Sequence, residues 1–144
     1  MKYCYAYPRP AVTADIVLVK RIDDQYWILL IQRKYPPFEG MWALPGGFMN
    51  MDETLEDAAV RELSEETGIT GVHLEQFHTY SNVNRDPRHR TITTVFIGYA
   101  DYNTSQPEAG DDAAKANWFA LNDLPALAFD HGLVMEMLKK NNRF

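Results

Sequence analysis

The pattern of apolar and polar positions along the chain predicts six strands and two helices. In residues 11–20, β-branched residues alternate with others, and a turn at Asp23-Asp24 leads to an apolar run at 26–31. A loop is predicted at 35–40 because its two prolines cannot continue a strand ladder, and a sharp turn is predicted at Pro45-Gly46-Gly47. The predicted strands are 11–20, 26–31, 42–44, 72–80, 91–100 and 117–119.

The strongest helical pattern runs from about Thr54 to Thr67. Thr54 and Asp57 have the spacing of a capping box, in which each side chain accepts a hydrogen bond from the backbone of the other residue. Gly68 stands where a glycine commonly ends a helix. These signals predict a helix with defined boundaries in the middle of the chain.

A second helix is predicted near the carboxyl terminus, with an apolar face formed by Leu133, Val134, Met137 and Leu138. Strands with one helix in the middle and one at the end predict an α+β fold, an α/β/α sandwich around a mixed β-sheet. A length of 144 residues fits a single domain, 1–144.

Acidic side chains share the apolar face of the central helix. At 100° per residue, one sector of the helix holds Leu55, Ala58, Ala59, Leu63 and also Glu62 and Glu66, with Glu65 at its edge. Burying unpaired charges is costly, and the helix offers no base except Arg61, which is expected to point sideways. The acidic residues therefore form either a solvated face or, as the apolar neighbours favour, a site for a divalent cation.

Charge and composition narrow the possible partners. The net charge is −6 and no basic patch is evident, which argues against a general nucleic-acid binder. No apolar run is long enough to cross a bilayer, and the amino terminus lacks the apolar core of a secretory signal. Cys4 is the single cysteine, which suits a reducing cytoplasm. Scattered histidines make a zinc site improbable.

The acidic helix and the glycines before it form one motif. It reads Gly47, five residues, Glu53, seven residues, Arg61-Glu62-Leu63, any residue, Glu65-Glu66, any residue, Gly68-Ile69. It spans 23 residues and matches the Nudix box at all nine defined positions. The chain therefore resembles Nudix hydrolases, which implies the Nudix-type α/β/α sandwich and hydrolysis of a nucleoside diphosphate linked to another group, with Mg²⁺ or Mn²⁺.

The resemblance also implies roles for the residues of the box. Glu62 and Glu66 would be the principal metal ligands, Glu65 would assist, and a backbone carbonyl near Gly46-Gly47 would complete the shell. Glu53 would pair with Arg61 and brace the loop against the helix. The general base stays open between the three glutamates of the helix and a carboxylate of another loop, for which the candidates are Glu108, Asp111 and Asp112.

Stretches outside the box are similar to ADP-ribose pyrophosphatases and to the Nudix part of regulators that sense ADP-ribose. They are 7–12, 32–38 and 85–91. Arg33, Arg85 and Arg88 are candidates for binding phosphate or ribose, and Phe38 is a candidate for stacking on adenine. Trp42 and Tyr80 are further candidates for stacking, although core packing is the more common fate of an aromatic side chain.

These observations favour an enzyme that converts ADP-ribose to AMP and ribose 5-phosphate. One alternative is another nucleotide substrate, such as a dinucleoside polyphosphate or an oxidised nucleotide. The other is a non-catalytic ADP-ribose sensor that regulates transcription, against which the acidic charge and the complete set of carboxylates argue. A homodimer would be usual for the resembled family.

Overall fold

The computed structural model describes residues 2–101, 104, 106–110 and 113–144. Seven strands and two α-helices are assigned within these ranges, together with a 3₁₀ turn at Leu121–Asp123. In chain order the elements are β1 (Ala11–Ile22), β2 (Gln25–Arg33), β3 (Trp42–Ala43), β4 (Gly46–Phe48), α1 (Leu55–Thr67), β5 (Glu75–Tyr80), β6 (Thr91–Ala100), β7 (Ala113–Ala120) and α2 (His131–Lys140).

The strands form one mixed sheet around β1. Its main path runs β3-β2-β1-β6-β5, while β4 pairs with β1 and β7 pairs with β2. Strands β1 and β6 are parallel over ten residue pairs, from Ala11–Thr91 to Lys20–Ala100, and the other pairings are antiparallel. The connection between the two parallel strands contains α1, as a parallel crossover requires.

The two faces of the sheet carry separate helices because side chains alternate along a strand. On β1, Ile16 and Leu18 pack in the cluster that contains Ala58, Ala59 and Leu63 of α1. Val17 lies in the other cluster, with Val134, Met135 and Leu138 of α2. The predicted α/β/α sandwich around a mixed sheet is therefore confirmed.

Helix α1 begins and ends where the sequence signals place its boundaries. Thr54 is the N-cap, its side chain accepts from the backbone N–H of Asp57, and the reciprocal bond to Asp57 is also present. Gly68 adopts a left-handed conformation with φ 75° and donates its N–H to the carbonyl of Ser64. These local bonds satisfy backbone groups at both helix ends.

Three elements differ from the sequence predictions. A sharp turn is predicted over Pro45-Gly46-Gly47, but the chain bends only at Pro45, and Gly46–Phe48 is a strand, β4, paired with Thr13, Ala14 and Asp15 of β1. Strand β7 extends over Ala113–Ala120 because it pairs along most of β2, and β5 is limited to Glu75–Tyr80 by its pairing with β6. Such pairing partners are distant in sequence, so local patterns do not define them.

The apolar face of α2 is also shifted from the expected one. Leu133 is 52% exposed, whereas the buried side chains are His131, Val134, Met135 and Leu138. These positions follow the i, i+3, i+4, i+7 spacing from His131, a residue that hydrophobicity alone does not assign to a core face. Within the described ranges, no helix is both long and apolar enough to cross a membrane.

The cap of α1 gives a stability prediction. We expect Thr54→Ala to lower the free energy of unfolding by about 1 kcal/mol, because one N-terminal backbone donor loses its partner. Urea unfolding followed by circular dichroism measures the change. The control is Val60→Ala, at a half-exposed position of the same helix, for which a change within about 0.5 kcal/mol is expected. Equal stability of the Thr54 variant and the unmodified protein would contradict the capping role.

Candidate active site

A cleft of about 480 Å³ opens beside the amino-terminal half of β1, between β4, α1 and the start of α2. Ligand pockets are usually lined by apolar residues with few polar groups, whereas both acidic and basic side chains line this cleft. The charged or ionisable residues in its lining are Asp15, Arg33, Lys34, Tyr35, Arg61, Glu62, Glu66, Arg85, Asp86, Arg88 and His131.

The cleft receives the two principal carboxylates that the sequence singled out. Glu62 and Glu66 are one turn apart on α1, and both line the cleft. Only 13% of the side chain of Glu62 is exposed, and Oε2 of Glu66 accepts a hydrogen bond of 3.2 Å from the backbone N–H of Gly46. Glu65, as expected for the edge of the sector, is more exposed, at 43% of its side chain.

Arg61 does not point away from these carboxylates, which corrects the expectation from the helical wheel. Its Nη1 donates to Oε1 of Glu62 at 2.8 Å and to Oε2 of Glu65 at 3.1 Å. Its Nη2 donates to Oε1 of Glu53 at 2.6 Å and to the carbonyl oxygen of Phe48 at 2.9 Å, and Nε also donates to Glu53. A flexible side chain reaches partners that the angular position of its Cα does not predict.

The expected pairing of Glu53 with Arg61 is therefore present, and it joins β4 and the following loop to α1. The hydrogen bonds from Arg61 and from the backbone of Asn50 lower the pKa of Glu53 to about 2. The same pairing raises the pKa of Arg61, so both groups are charged at neutral pH. This is a charge-assisted, multiply bonded contact, the strong form of ion pair.

Glu62 behaves differently although it shares Arg61. Burial raises the pKa of Glu62, and the hydrogen bond and charge of Arg61 offset this only in part. Glu65 and Glu53 add repulsion in the same direction. One guanidinium thus faces three carboxylates, which leaves this group of side chains with excess negative charge at the wall of the cleft.

The glycines of β4 allow the backbone to lie directly against this charge. A Cβ added to Gly47 would come within 2.4 Å of Cδ and Oε1 of Glu62, and one added to Gly46 would overlap Oδ1 of Asp15. The glycines are therefore required for close approach between strand and carboxylates. Neither has a positive φ, so their role is space and not backbone conformation.

A buried polar cluster that sequence reasoning missed forms another part of the lining. Oδ2 of Asp15 accepts a hydrogen bond of 2.7 Å from the hydroxyl of Thr93 and lies 3.6 Å from Nε2 of His131. Nδ1 of His131 accepts from the backbone N–H of Leu44 at 3.0 Å, which places the proton of the neutral ring on Nε2, toward Asp15. Burial disfavours the charged form of Asp15, but His131 and Thr93 outweigh it and lower its pKa.

No local pattern in the sequence points to this cluster. Asp15 is the single acid in β1, and His131 is more than one hundred residues away. The one available signal was an acidic residue inside a strand whose neighbours are all buried, since such a residue needs a partner.

The structure brings all three predicted substrate-binding arginines to the cleft, but two of them are held by acids. Arg85 makes a bidentate pair with Asp130, with contacts of 2.9 and 2.7 Å, and only 4% of its side chain is exposed. Arg88 makes a bidentate pair with Asp86, whose pKa falls to about 2 because these bonds outweigh its burial. The Nε of Arg33 donates to the carbonyl of Pro37 at 2.7 Å.

The aromatic candidates lie apart from the main cleft. Phe38 lines a neighbouring cleft of about 610 Å³ and contacts Phe129 edge-on, with 4.8 Å between ring centroids. Trp42 packs edge-on against Phe119, and the hydroxyl of Tyr80 donates to the sulfur of Met137, so both pack beside the core cluster under α2. Phe129, which the sequence did not single out, lines both clefts.

The loop with the candidate bases docks on the last turn of α1. The backbone N–H of Glu108 donates to the carbonyl of Thr67 at 2.8 Å, and that of Gly110 donates to the carbonyl of Glu66 at 3.1 Å. Glu108 itself is exposed and does not belong to the lining of the cleft. Asp111 and Asp112 lie outside the described residues.

The carboxylates in the cleft suit a divalent cation that takes most of its ligands from water and from the substrate. Among the described residues, no three side chains of His, Cys, Asp or Glu are gathered into a group that would hold a metal ion alone. Glu62 and Glu66 nevertheless present carboxylate oxygens to one cleft, at the wall where the single guanidinium of Arg61 faces Glu53, Glu62 and Glu65. Mg²⁺ typically binds in this way, through one or two carboxylates, water and substrate phosphates.

The Glu53–Arg61 contact gives a prediction about pH. Because the pKa of Glu53 falls from 4.5 to about 2, its charged form stabilises the folded protein fully above pH 4.5, and this contribution is lost as the pH falls toward 2. We expect the free energy of unfolding to fall less over this range in Glu53→Gln than in the unmodified protein. Denaturant titrations at pH 6, 4 and 3 measure the difference, and parallel pH curves would contradict the pairing.

Comparison with known proteins shows which family the chain resembles over most of its length. Residues 9–138 match the family model of the NUDIX domain. An ADP-ribose pyrophosphatase of Methanocaldococcus jannaschii is 46% identical over 130 residues, which cover 90% of this chain and 73% of that protein. The ADPR responsive transcriptional repressor NtrR of Acinetobacter baylyi is 36% identical over 129 residues. That alignment covers 87% of this chain and 51% of the repressor, so the chain spans about half of the repressor's length.

A solved structure is similar to this chain in fold as well as in sequence. The NUDIX domain of Shewanella oneidensis NrtR, crystallised with ADP ribose, superposes with a TM-score of 0.86 at 33% identity. The match covers 94% of this chain and 90% of that one. The family match over most of the chain and the carboxylates gathered in the cleft lead to one conclusion, that the chain belongs to the Nudix family and is a Nudix hydrolase.

Proposed function

We propose that the protein cleaves a nucleoside diphosphate linked to another moiety, with ADP-ribose as substrate and AMP and ribose 5-phosphate as products. The observation that carries this proposal is a single cleft that contains both Glu62 and Glu66 and the guanidinium groups of Arg33 and Arg88. A diphosphate needs positive charge around its oxygens, and arginines supply it directly. Carboxylates supply it only through a bound cation.

The cation in this proposal is Mg²⁺ or Mn²⁺, held by Glu62 and Glu66 with Glu65 assisting. A backbone carbonyl near Gly46 and Gly47 contributes, because β4 lies against Glu62 and Glu66. When bound, such an ion supplies positive charge to the diphosphate oxygens and makes water more acidic.

The remaining residues of the box act as a frame in this proposal. Arg61 holds Glu62 and Glu65 through Nη1, and Glu53 holds the guanidinium from the other side. The bond from Arg61 to the carbonyl of Phe48 secures the end of β4 to the helix. This frame keeps like charges close together in the folded protein, which repulsion would otherwise separate.

The reaction is a hydrolysis at phosphorus. A water oxygen forms a bond to one phosphorus atom while the bond from that atom to the bridging oxygen breaks. The bridging oxygen leaves with the other phosphate, and a carboxylate base accepts the proton of the water. The candidates for this base are Glu62, Glu65 and Glu66 on α1 and, from the stretch between β6 and β7, Glu108, Asp111 and Asp112. The backbone N–H of Glu108 donates to the carbonyl of Thr67, which keeps Glu108 near the end of α1.

ADP-ribose as the substrate is supported by the relatives. The Methanocaldococcus protein is named for this activity, and the NrtR domain was crystallised with this molecule. Another nucleotide remains the first alternative, because the carboxylates recognise the diphosphate and not the base or sugar. A sensor without catalysis is the second, because the Acinetobacter relative is a repressor. The set of glutamates held by Arg61 favours catalysis over sensing.

We expect Glu66→Gln to reduce turnover of ADP-ribose by about two orders of magnitude or more. The substitution removes the negative charge of one metal ligand and keeps the shape of the side chain. Chromatography of the nucleotide products released from ADP-ribose, a dinucleoside polyphosphate and an oxidised nucleotide, with Mg²⁺ or Mn²⁺, measures activity and substrate choice together. The matched control is Glu56→Gln, on the exposed first turn of the same helix, which should retain full activity.

The outcomes of this assay separate the levels of the proposal. Fast hydrolysis of another nucleotide without hydrolysis of ADP-ribose would reject ADP-ribose as the substrate and would still support the proposed type of reaction. Unchanged turnover in Glu66→Gln would remove the role of the carboxylate. Binding of ADP-ribose with no hydrolysis of any nucleotide in the panel would favour the sensor.

A second variant tests the close approach of β4. Gly47→Ala places a methyl group in the volume of the Glu62 carboxylate, so either the strand or the side chain must move. We expect a loss of at least tenfold in kcat/KM and a destabilisation of about 1–3 kcal/mol, as for other overpacked sites. Gly132→Ala, where an added Cβ meets open space in α2, is the control: it should leave kcat/KM unchanged and should not destabilise the protein, since alanine favours a helix more than glycine does. Full activity of Gly47→Ala would show that this approach is not required.

A further inference from the structure

Phe129 is the shared contact of two arginines that line the cleft. The guanidinium carbon of Arg33 lies 4.9 Å from the centroid of the Phe129 ring, and that of Arg88 lies 5.5 Å from it. Both distances are within the range of cation–π attraction. Two cations that repel each other are thus held near one ring, in the cleft that also contains Glu62 and Glu66.

The backbone of Phe129 is in an unusual conformation. Its φ is 53°, in the left-handed region that bulky residues rarely adopt. Among described residues that are not glycine, positive φ occurs at Asp23, Asp24 and Asn142, whose side chains tolerate it, and at two phenylalanines, Phe38 and Phe129. These two rings contact each other, at 4.8 Å between centroids. Strained conformations of this kind persist where surrounding contacts hold them, and they cluster at functional sites.

The two residues that follow Phe129 supply such contacts. Asp130 is held by the bidentate pair with Arg85, and His131 accepts the backbone N–H of Leu44. Both contacts are almost fully buried, with 4% of the side chain exposed in Arg85 and in His131. The ring of Phe129 is therefore carried by a firmly anchored segment at the start of α2.

We propose that Phe129 is a positioning residue that holds Arg33 and Arg88 together as a cationic pair for the diphosphate of the substrate. Arg88 is already oriented by Asp86 and also lies 5.3 Å from the centroid of Phe48, while Arg33 is tethered by the carbonyl of Pro37. The ring adds the contact that these two arginines have in common. This inference rests on the proposed function, because it assigns the pair to the diphosphate.

A binding experiment tests the inference independently of turnover. The probe is α,β-methylene-ADP, a nucleoside diphosphate that cannot be cleaved, and calorimetry with Mg²⁺ measures its affinity for the full chain. Phe129→Leu removes the ring and keeps a bulky side chain at the same backbone conformation. We expect the dissociation constant to rise on the order of tenfold, while Phe129→Tyr, which retains the ring, stays within about twofold of the unmodified protein.

The matched control is another cation–π contact, at a position that does not line the cleft. The guanidinium of Arg143 lies 5.6 Å from the centroid of Phe77, whose ring packs beside the core under α2. Phe77→Leu should leave the affinity for the probe within about twofold of its original value. An equal loss of affinity in Phe77→Leu and Phe129→Leu would mean that general loosening is responsible, and would overturn the proposal.

A double-mutant cycle shows whether Phe129 acts through an arginine. Arg33→Met is the suitable partner, since removing Arg88 would leave the buried Asp86 unpaired and endanger folding. In the Arg33→Met background, we expect Phe129→Leu to weaken binding by less than about threefold, because part of its effect passes through Arg33. The same tenfold loss in both backgrounds, or no binding of the probe by the unmodified protein, would overturn the proposal.

The double-mutant cycle and the hydrolysis assay together distinguish a failure of the Phe129 proposal from a failure of ADP-ribose as the substrate. Coupling between Phe129 and Arg33, combined with no hydrolysis of ADP-ribose, would support the positioning role and reject only the substrate. Hydrolysis of ADP-ribose without such coupling would support the proposed function and reject the role of Phe129.

Discussion

The bonding of Arg61 to Glu53, Glu62 and Glu65 is the interaction on which the site depends. A single guanidinium has five N–H donors in a fixed plane, two more than a lysine, so it can bind three carboxylates and a carbonyl at the same time. Because the bonds also reach the carbonyl of Phe48, the same group joins α1 to the end of β4. The helix and the strand thus hold the cleft wall in one arrangement despite the repulsion among its acids.

The balance of charge around Arg61 explains how a buried acidic site is compatible with a stable fold. One positive charge lowers the repulsion among three negative ones without cancelling it, and burial still raises the pKa of Glu62. The remaining negative charge is suited to a divalent cation. Elsewhere in the cleft, acids hold two arginines in place, Asp130 for Arg85 and Asp86 for Arg88. A chain with a net charge of −6 can therefore present basic groups locally to a phosphate.

Much of the fold was predictable because its signals are local. The capping box at Thr54, the left-handed Gly68 and the amphipathic pattern between them define α1. Strand β6 begins and ends as predicted, since it is a run rich in β-branched and aromatic residues bounded by charged residues. The turn expected at Gly46 and Gly47 was wrong, because pairing with β1 extends a glycine-rich segment that favours a turn when considered alone.

The amino-acid sequence by itself determined the family, the packing of helices on both faces of a mixed sheet, and the concentration of acids on one face of α1. These follow from spacing, since residues three and four apart on a helix share a face and alternate residues on a strand share a side. Only the tertiary structure decided that Arg61 binds Glu62, that Asp15 lies near His131, and that Arg33 and Arg88 both lie near the ring of Phe129. Each of these contacts depends on side-chain conformation or on segments far apart in the chain, and periodicity carries no information about either.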